Sequence, residues 1–481
     1  MKSGMRALFC AAEIYPMAKT GGLGDVAAAL PAALREAGTD IRLLMPAYRS
    51  ALAAVPDAAP VQILGNINGC GPTDVLLGSA PQTGLPVYLI RNQRLFERDG
   101  GPYHDARGSP WPDNAERFAV LCRAAAAVAT DGPGGWRPEL VHVNDWHTAL
   151  VPSALGALGA RVASVLTIHN AAYQEPLTAD LQERLGIPTG RSELHAATPS
   201  FLSTGIADAD RLTTVSPTYA KEIQTPQFGC GLERLLAARA AVLRGILNGI
   251  DVAVWNPQTD EHIAQRYSER DLSGKAGCKR ALCAEMGLAP DSRRPLLACV
   301  SRLTPQKGLD VLLAVLPQLL AADLSFVLLG TGDRALESGF TKLAERHPGC
   351  LAVRIAYDEA LAHRIVAGAD LFVMPSRFEP CGLNQMYSQR YGTIPIVHPV
   401  GGLADTVRDA ASGDAGGDGT GFFIAGLSPA KLAATTSTAV RWYHDTPAWQ
   451  QLQRNGMKQD FSWKEPARAY ADVYRAALRS G

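Results

Sequence analysis

The chain has 481 residues, with 46 basic and 46 acidic side chains and a formal net charge of zero. A single hydrophobic core stops growing at about 250–300 residues, so this length predicts two domains of similar size. The balanced charge argues against a general polyanion binder, because nucleic-acid affinity requires an excess of lysine and arginine. We therefore expect a small or neutral ligand.

The cysteines and the apolar runs favour a reduced intracellular compartment. Nine cysteines are spread along the chain without a CxxC pair, which predicts free thiols and neither a disulfide nor a zinc framework. The N-terminal sequence MKSGMRALFCAAEIYP lacks the apolar run and cleavage site of a secretory signal. No segment approaches the ~20 apolar residues of a membrane span. We expect a cytoplasmic protein with no membrane or nucleic-acid partner.

Short apolar runs alternate with amphipathic helical stretches, which is the pattern of a parallel sheet covered by helices. The region 65–112 is rich in Gly, Pro and Asn, which predicts hairpins and long loops. In the first half the predicted strands are 6–11, 41–45, 86–90, 140–143, 164–168 and 211–215, with a helix over 25–35.

The same pattern restarts in the second half of the chain, after about residue 257. The predicted strands there are 295–300, 325–329, 351–355, 371–374 and 394–398, with a helix over 308–320 and a flexible loop over 409–419. Two such series predict an α/β protein with two doubly wound domains, residues 1–248 and 249–459, each binding ligand at the carboxyl ends of its strands. Residues 460–481 are predicted to form a helix that packs back on the first domain.

A glycine-rich turn, KTGGLGDV at 19–26, follows the first predicted strand and opens a helix. Glycine allows close approach of a ligand to the backbone, and a helix N-terminus attracts anions. The turn also fits the dinucleotide pattern G-x-G-x-x-A, with a second match at 330–335. A nicotinamide enzyme would place an acidic residue at the carboxyl end of the second strand, whereas Asp40 precedes that strand. Spacing alone leaves phosphate binding and a plain tight turn as alternatives.

Two further strands are followed by the polar turns NDWH and TIHN. A metal site could be built from His142, Asp145 and His147. The two histidines would face opposite ways on a strand, however, and no ligand set with zinc-like spacing supports the site. A polar loop at the ligand edge is the better-supported alternative. The position of His169 at the end of a parallel strand favours ligand binding over a structural role, whereas LNGID at 247–251 is typical of a hairpin turn.

Charged residues also follow the strands of the second half. Arg302 and Lys307 lie in SRLTPQKG, between a strand and a helix. The planar fork of arginine and the point charge of lysine both suit phosphate oxygens. Glu379, in SRFEPCGL, is predicted to open the next helix. A second glycine-rich turn at 400–405 also opens a helix, and two such turns from two domains could enclose a pyrophosphate and a sugar.

Together these motifs resemble one family, the bacterial glycogen synthases and plant starch synthases. The resemblance implies retaining glucosyltransferases of the GT-B fold, with two Rossmann-like domains that face each other across a deep cleft. The pair KTGGLGDV and EPCGL at this separation is specific. The matching strings, in family order from residue 6 to about residue 475, are KTGGLGDV, NDWH, TIHN, VSPTYAKEI, LNGID, SRLTPQKGLD, GTGD, SRFEPCGLNQ, YGTIPIV, GGLADTV and DFSW.

The resemblance implies transfer of glucose from ADP-glucose to the non-reducing 4-hydroxyl of an α-1,4-glucan such as glycogen, with retention of configuration. No metal or other cofactor is implied. The implied catalytic residues are Glu379, His169, Arg302 and Lys307. The residues implied at the donor phosphates and sugar are Lys19, Gly21, Gly22, Asn248, Cys381, Gly382, Gly401 and Gly402, with Tyr357 at the adenine. The residues implied on the acceptor side are Asp25, Asp145 and Tyr103.

Related retaining transferases place a second Glu eight residues after the position of Glu379, where this chain has Tyr387. The missing carboxylate favours front-face displacement within an ion pair over a covalent glucosyl-enzyme. Other departures from the family pattern lie at 171–172, at 194–205 and at Val400. The first two concern the acceptor side and the third concerns donor binding.

Several alternatives stay open from the residues. The base contacts are expected to come mostly from backbone and loops, so UDP-glucose is an alternative donor. A nicotinamide dehydrogenase, a pyridoxal-dependent glucan phosphorylase and a non-catalytic glucan-binding relative are the rival functions. Intact side chains at the motif positions favour the transferase over the last of these.

Overall fold

The computed structural model describes residues 4–184, 186–187, 198–289, 291, 293–412 and 417–479. The chain divides into two compact units, one formed by residues 1–249 and 463–481 and the other by residues 250–462. Each unit contains its own sheet. We call them the N-terminal unit and the C-terminal unit.

The sheet of the N-terminal unit has nine strands in the order β3-β4-β5-β2-β1-β6-β7-β8-β9. All neighbours from β5 to β9 pair in parallel, whereas β3 and β4 add an antiparallel hairpin at one edge. The strands are β1 Arg6–Cys10, β2 Asp40–Pro46, β3 Ala59–Asn66, β4 Pro72–Ser79, β5 Pro86–Arg91, β6 Leu140–Asn144, β7 Ala163–Ile168, β8 Arg211–Thr214 and β9 Leu243–Gly245. Central strands β6 and β7 are buried along their whole length, as expected for a parallel sheet covered on both faces.

Among the described residues, ten α-helices precede the point where the chain enters the C-terminal unit. The first of them begins at Gly22, three residues before the predicted start, so that Asp25 lies in its first turn. The helices are α1 Gly22–Glu36, α2 Arg49–Ala54, α3 Gln93–Phe96, α4 Asn114–Asp131, α5 Asp145–Thr148, α6 Val151–Ala157, α7 Ala179–Arg184, α8 Phe201–Asp208, α9 Pro217–Glu222 and α10 Glu233–Ala238.

The C-terminal unit has a six-stranded, all-parallel sheet in the order β12-β11-β10-β13-β14-β15. Its strands are β10 Leu296–Val300, β11 Ser325–Leu329, β12 Leu351–Arg354, β13 Leu371–Met374, β14 Ile394–Val397 and β15 Phe422–Phe423. Its helices are α11 Ser273–Met286, α12 Leu309–Ala321, α13 Arg334–Arg346, α14 Glu359–Gly368, α15 Asn384–Arg390, α16 Gly401–Thr406, α17 Pro429–His444 and α18 Thr446–Met457.

The last helix, α19 Lys464–Leu478, belongs to the N-terminal unit and contacts α1 and strands β6 to β8. Its buried face includes Tyr474, whose hydroxyl lies 2.7 Å from His142 Nδ1. The other ring nitrogen of His142 lies 2.6 Å from Thr167 Oγ1. Burial lowers the pKa of His142 to about 3, so the ring is neutral. Because both of its nitrogens are hydrogen-bonded, His142 links the sheet to the helix and presents no nitrogen to a metal.

Two expectations from the sequence change here. The hairpin predicted at 247–251 is wrong, because the described residues contain no strand between β9 and β10, and Asn248 lies where the chain leaves the N-terminal unit. Of the loop predicted at 409–419, residues 413–416 lie outside the described residues. In the described part of the chain, no helix is long and apolar enough to cross a membrane.

Candidate active site

Most of the candidate residues follow the carboxyl ends of parallel strands, and the two units hold separate sets. In the N-terminal unit the set follows β1, β6, β7 and β9. In the C-terminal unit it follows β10, β12, β13 and β14. Because the carboxyl ends of parallel strands share one edge, each sheet presents its set along that edge.

A buried carboxylate, Glu13, holds the glycine-rich turn that follows β1. Its oxygens accept hydrogen bonds from the backbone N–H of Thr20, from Thr20 Oγ1 at 2.6 Å and from the Gly21 N–H at 3.2 Å. Glu13 is only 3% exposed. Bonds from backbone N–H to an ionised acceptor are among the stronger ones, so Glu13 fixes the entry into α1.

The same carboxylate holds Tyr103, one of the predicted acceptor-side residues. The Tyr103 hydroxyl donates to Glu13 Oε1 at 2.5 Å, and its ring stacks on His147 with centroids 4.7 Å apart. Burial raises the pKa of Tyr103 well above its ordinary value, so the hydroxyl keeps its proton. Glu13 was not among the residues predicted from the sequence. The available signal was a lone carboxylate between a buried strand and a glycine-rich turn.

The cation and the carboxylate of this turn form an ion pair. Lys19 Nζ lies 2.8 Å from Asp25 Oδ1 and 5.2 Å from the centre of the Tyr15 ring. The structure thus brings together Lys19, predicted at the donor phosphates, and Asp25, predicted on the acceptor side. It also directs the Gly21 N–H at Glu13, so this amide, predicted at the donor phosphates, is already hydrogen-bonded within the turn.

Asp145 organises the turn after β7 from its place at the start of α5. Its carboxylate accepts the backbone N–H of His169 at 2.7 Å and of Asn170 at 3.3 Å. Asp145 has a φ of +55°, a left-handed conformation that Asp tolerates better than most residues. Burial raises the pKa of Asp145 to about 7, because the charged form is poorly solvated there. The carboxyl group therefore titrates near neutral pH.

His169 is a neutral ring, and one of its two nitrogens is already hydrogen-bonded. Its Nε2 lies 2.9 Å from Asn144 Oδ1, while Asn144 Nδ2 donates to the backbone oxygen of Cys10 at 2.9 Å. That second bond fixes the amide orientation, so His169 Nε2 carries the proton and Nδ1 is left as an acceptor. Burial lowers the pKa of His169 to about 3. The ring is uncharged at neutral pH and suits a hydroxyl donor.

Asn248 presents a buried acceptor without a partner. It is 5% exposed, and its Oδ1 has no hydrogen-bond partner in the described part of the chain. Leaving a buried polar group unpaired costs about 1–3 kcal/mol. A ligand hydroxyl that donates to Oδ1 would remove that penalty, as the predicted contact with a sugar requires.

In the C-terminal unit, Lys307 and Glu379 form a buried ion pair. Lys307 Nζ lies 2.8 Å from Glu379 Oε1 and 2.6 Å from Oε2, and Ser376 Oγ donates to Oε2 at 2.9 Å. The two side chains are 17% and 6% exposed. The cation expected at the phosphates and the carboxylate expected at the sugar are therefore direct neighbours.

Two loops are joined so that this pair forms. The Arg377 N–H donates to the Gln306 backbone oxygen at 2.8 Å, which ties the loop after β13 to the loop after β10. Gly308 has a φ of +64°, and a Cβ there would lie 1.9 Å from the Pro375 oxygen. Only glycine fits this close approach, and it sets the position of the preceding Lys307.

The turn after Glu379 packs against the second glycine-rich turn. The Gly402 N–H donates to the Glu379 backbone oxygen at 3.0 Å. A Cβ at Gly402 would lie 2.1 Å from the Cys381 oxygen, and one at Gly401, where φ is +47°, would lie 2.0 Å from the Glu379 oxygen. These two glycines allow helix α16 to start directly against the turn that contains Cys381 and Gly382.

The prediction that Glu379 opens a helix is wrong. Helix α15 begins at Asn384, and Gly382, with a φ of +71°, keeps the intervening turn out of helical geometry. Gln385, which sequence analysis missed, holds that turn. Its Nε2 lies within 3.1 Å of the Cys381 and Gly382 oxygens and 3.0 Å from Thr406 Oγ1. The side chain thereby ties the turn to α16.

The remaining predicted residues of this unit lie on the surface. Arg302 is exposed in the loop after β10. Tyr357, in the loop after β12, is 73% exposed, and its hydroxyl donates to Glu359 at 3.3 Å. An aromatic ring exposed to this extent can be reached by a flat ligand ring.

Tyr387 is packed into an aromatic stack. Its ring lies parallel to that of Trp255 with centroids 3.8 Å apart, and Trp255 also stacks on His363 at 3.7 Å. His363 Nδ1 lies 2.7 Å from Asp260. Tyr387 stands at the position of the second Glu expected from related transferases. Its ring packs on Trp255, which lies in the first residues of the C-terminal unit.

The described residues contain no group of three or more His, Cys, Asp or Glu side chains that could hold a metal ion. The expectation that no metal is needed stays a prediction. Of the departures from the family pattern, residues 194–197 lie outside the described residues. The rest of that stretch opens α8, where Ser200 caps the helix by accepting the Ser203 N–H.

Two family models match the chain, the starch synthase catalytic domain over residues 6–238 and the glycosyl transferases group 1 over residues 294–441. A glycogen synthase of Dechloromonas aromatica is 49% identical over 99% of this chain and 99% of its own length. One of Paramagnetospirillum magneticum is 47% identical over 99% and 98%. The chain belongs to the glycogen and starch synthase family.

A solved structure of this family, the catalytic domain of starch synthase IV from Arabidopsis thaliana bound to ADP and acarbose, has a TM-score of 0.89 to this chain. It is 32% identical over 99% of this chain and 100% of its own. A sucrose-phosphate synthase from Thermosynechococcus elongatus, 18% identical with a TM-score of 0.60 over 99% and 100%, shares the fold. The predicted fold class, a GT-B protein with two doubly wound domains, and the predicted glucosyltransferase class of enzyme are confirmed.

Proposed function

We propose that this glucosyltransferase is a glycogen synthase that uses ADP-glucose. It transfers glucose to the non-reducing 4-hydroxyl of an α-1,4-glucan and retains the anomeric configuration. The observation that carries the proposal is the buried Lys307–Glu379 pair, held at a glycine-bounded turn in the C-terminal unit. The names of the curated relatives and the ADP and acarbose in the starch synthase neighbour support both substrate classes.

On the donor side, Lys307 and Arg302 neutralise the diphosphate leaving group. Fixed positive charge at a departing phosphate stabilises the transition state electrostatically, which is the work that a metal ion does in other phosphate enzymes. Lys19 and the backbone of Gly22 are the phosphate contacts proposed in the N-terminal unit, and Tyr357 in the C-terminal unit stacks on the adenine. The reaction then needs no metal.

The glucose is held by groups that suit neutral hydroxyls. Glu379 accepts from hydroxyls of the sugar, and the amides of Cys381 and Gly382 donate to them. Gly401 and Gly402 shape the donor side of this turn, since the Gly402 N–H is already bonded to the Glu379 backbone oxygen. In the N-terminal unit, His169 Nδ1 and Asn248 Oδ1 are the two acceptors at the 6-hydroxyl, whose single proton goes to one of them at a time. The support for the last pair is the neutral state of His169 and the unpaired buried oxygen of Asn248.

The acceptor glucan is received by Tyr103, Asp25 and Asp145. We propose that transfer occurs by front-face displacement within a short-lived ion pair. The departing phosphate takes the proton of the acceptor hydroxyl as the new glycosidic bond forms. Tyr387, stacked on Trp255, offers no second carboxylate for a covalent intermediate. A glucosyl–Glu379 adduct trapped with a slow donor would disprove this route.

The test is an assay with glycogen and radiolabelled ADP-glucose or UDP-glucose. We expect incorporation of label and equimolar release of ADP, with a higher kcat/KM for ADP-glucose than for UDP-glucose. Glu379→Gln keeps the shape of the side chain and serves as the inactive control. Failure of wild-type protein to incorporate label, or a preference for UDP-glucose, would refute the proposal. Absorbance near the visible edge from a pyridoxal group would instead indicate a phosphorylase.

A further inference from the structure

A small cavity in the N-terminal unit lies apart from the residues assigned above and is lined mainly by arginine and aromatic side chains. Its volume is about 70 Å³. At ~15 Å³ for each water position, that is room for roughly five waters, or for one small polyatomic ion. The lining side chains used below are those of Tyr48, Arg49, Arg98, Trp111 and Arg117.

Two deeply buried polar side chains form the inner part of the cavity. Tyr48 is 5% exposed, and its hydroxyl has no hydrogen-bond partner among the residues that the structure describes. Arg117 is 1% exposed and donates from Nε to the Leu95 oxygen and from Nη1 to Pro102 O and Asn114 Oδ1, at 2.7–2.8 Å. These acceptors are neutral, and none of the three bonds uses Nη2. The Tyr48 hydroxyl is therefore a buried donor that remains to be satisfied.

The outer part of the cavity adds more positive charge. Arg49 pairs with Asp99, and Arg98 donates to Asp113 at 2.9 Å. Neither aspartate lines the cavity, and of the described residues that do, none is acidic. Three arginines therefore line the space, whereas the neighbouring carboxylates of Asp99, Asp113 and Glu13 lie outside its lining. The Arg49 side chain is 59% exposed, so an ion can reach the cavity from solvent.

We propose that this cavity binds an oxyanion of the phosphate class, either inorganic phosphate or the phosphate group of a small monoester. A phosphate offers several acceptor oxygens on one small centre. One can take the Tyr48 hydroxyl while others take Arg117 Nη2 and Arg49, which a neutral sugar would leave with unmatched charge.

The cavity also connects to the proposed acceptor side. Its wall includes Gly101 and Pro102, which lead directly to Tyr103. The Pro102 oxygen is held by Arg117, and the Tyr103 oxygen accepts from Asn114 Nδ2 at 3.1 Å. An ion that orders Arg117 therefore also restrains the backbone on which Tyr103 is mounted. This effect on glucan use rests on the proposed function, whereas binding of the ion does not.

The test is isothermal titration of the protein with sodium phosphate against sodium chloride at constant ionic strength, without donor or glucan. We expect saturable binding at millimolar phosphate or below. Tyr48→Phe keeps the ring and removes only the unpaired hydroxyl, and Arg49→Ala removes a rim cation. Each should weaken binding by roughly five- to tenfold, the value of about one hydrogen bond.

Two control variants separate this cavity from other anion sites. Arg91 is paired with Asp74 at 2.7 Å and does not line the cavity, so Arg91→Ala removes the same charge without touching it. Arg302→Ala weakens phosphate binding at the proposed donor residues. Both should leave the cavity's binding unchanged. No saturable binding, or binding that survives Tyr48→Phe and Arg49→Ala but is lost in Arg302→Ala, would overturn the proposal.

Discussion

The turns at the carboxyl ends of the strands are held by different interactions in the two units. In the N-terminal unit, buried carboxylates hold backbone N–H groups: Glu13 holds the turn at Thr20 and Gly21, and Asp145 holds the turn at His169. In the C-terminal unit, glycines pack turns directly onto carbonyl oxygens, and the buried carboxylate of Glu379 is paired with Lys307. The first arrangement presents a neutral His169 that suits a hydroxyl, and the second presents a lysine that suits phosphate oxygens.

The largest expected effect concerns Lys307, at the carboxyl end of the C-terminal sheet. Lys307→Ala should lower kcat by about 10³-fold, comparable to the loss of an arginine finger in phosphoryl transfer, because it removes a phosphate cation and leaves Glu379 unpaired. The measurement is steady-state transfer from ADP-glucose to glycogen. Arg377→Ala is the matched control. It removes an exposed cation of the joined loop, paired with Asp310 at 2.7 Å, and should change kcat only a few-fold. Equal losses in both variants would contradict the assignment.

The next effect concerns Glu13, which holds the glycine-rich turn of the N-terminal unit. Glu13→Gln replaces an acceptor of several hydrogen bonds by a group that keeps one oxygen and presents N–H to the N–H of Thr20. Bonds to a charged group contribute about 1.5–3 kcal/mol, so kcat/KM for glycogen should fall roughly 10- to 100-fold. Glu139→Gln, at the amino end of β6 and paired with Arg6 at the surface, should have no such effect. Unchanged kinetics of Glu13→Gln would show that the turn is held by other contacts.

A smaller effect tests whether burial sets the protonation state of Asp145. The pKa of Asp145, about 7, lies above its value in the unfolded chain, so the folded state binds this proton more tightly. The stability that the group contributes therefore falls as pH rises through 7. Between pH 6 and pH 8 the loss is about 1.4 kcal/mol, given 1.36 kcal/mol per pKa unit.

The measurement is urea unfolding of wild type and Asp145→Asn at pH 6 and pH 8. Asparagine keeps an acceptor for the His169 N–H and tolerates the positive φ of this position. The free energy of unfolding of wild type should fall by more between these pH values than that of the variant. Identical slopes would mean that Asp145 is already ionised at pH 6.

The smallest effect concerns Tyr357, the exposed aromatic residue of the C-terminal unit. Tyr357→Ala should raise KM for ADP-glucose between two- and tenfold, because aromatic stacking contributes about 0.5–1.5 kcal/mol. The thermal unfolding midpoint should be unchanged, since the side chain is 73% exposed. Tyr357→Phe should keep the wild-type KM. A normal KM in the alanine variant would remove Tyr357 from the adenine site.

Most of the fold could be predicted from the sequence, because parallel strands are continuous apolar runs bounded by turn residues. The strands 325–329 and 371–374 agree with β11 and β13 to the residue. Helix α1 was predicted three residues late, because glycine is a poor helix former and the residue that holds its first turn, Glu13, lies outside the motif.

For the candidate site, too, the sequence revealed the residues of contiguous motifs but not the isolated ones. Residues inside contiguous motifs, such as Lys307 and Glu379, could be named from the sequence together with their charges. Their direct contact could not, because it depends on loops that meet only in the folded chain. Glu13 and Gln385 are single polar residues without a repeating spacing, so only the distances in the structure reveal that they hold the turns.

Helix α19 has a consequence for the order in which the protein is built. The ribosome completes strands β1 to β9 more than two hundred residues before it makes α19, whose tyrosines at 470 and 474 are buried against that sheet. Until then the nascent N-terminal unit exposes apolar surface around His142, a state in which chains are prone to aggregate. Synthesis therefore makes the first unit to be translated the last to be completed.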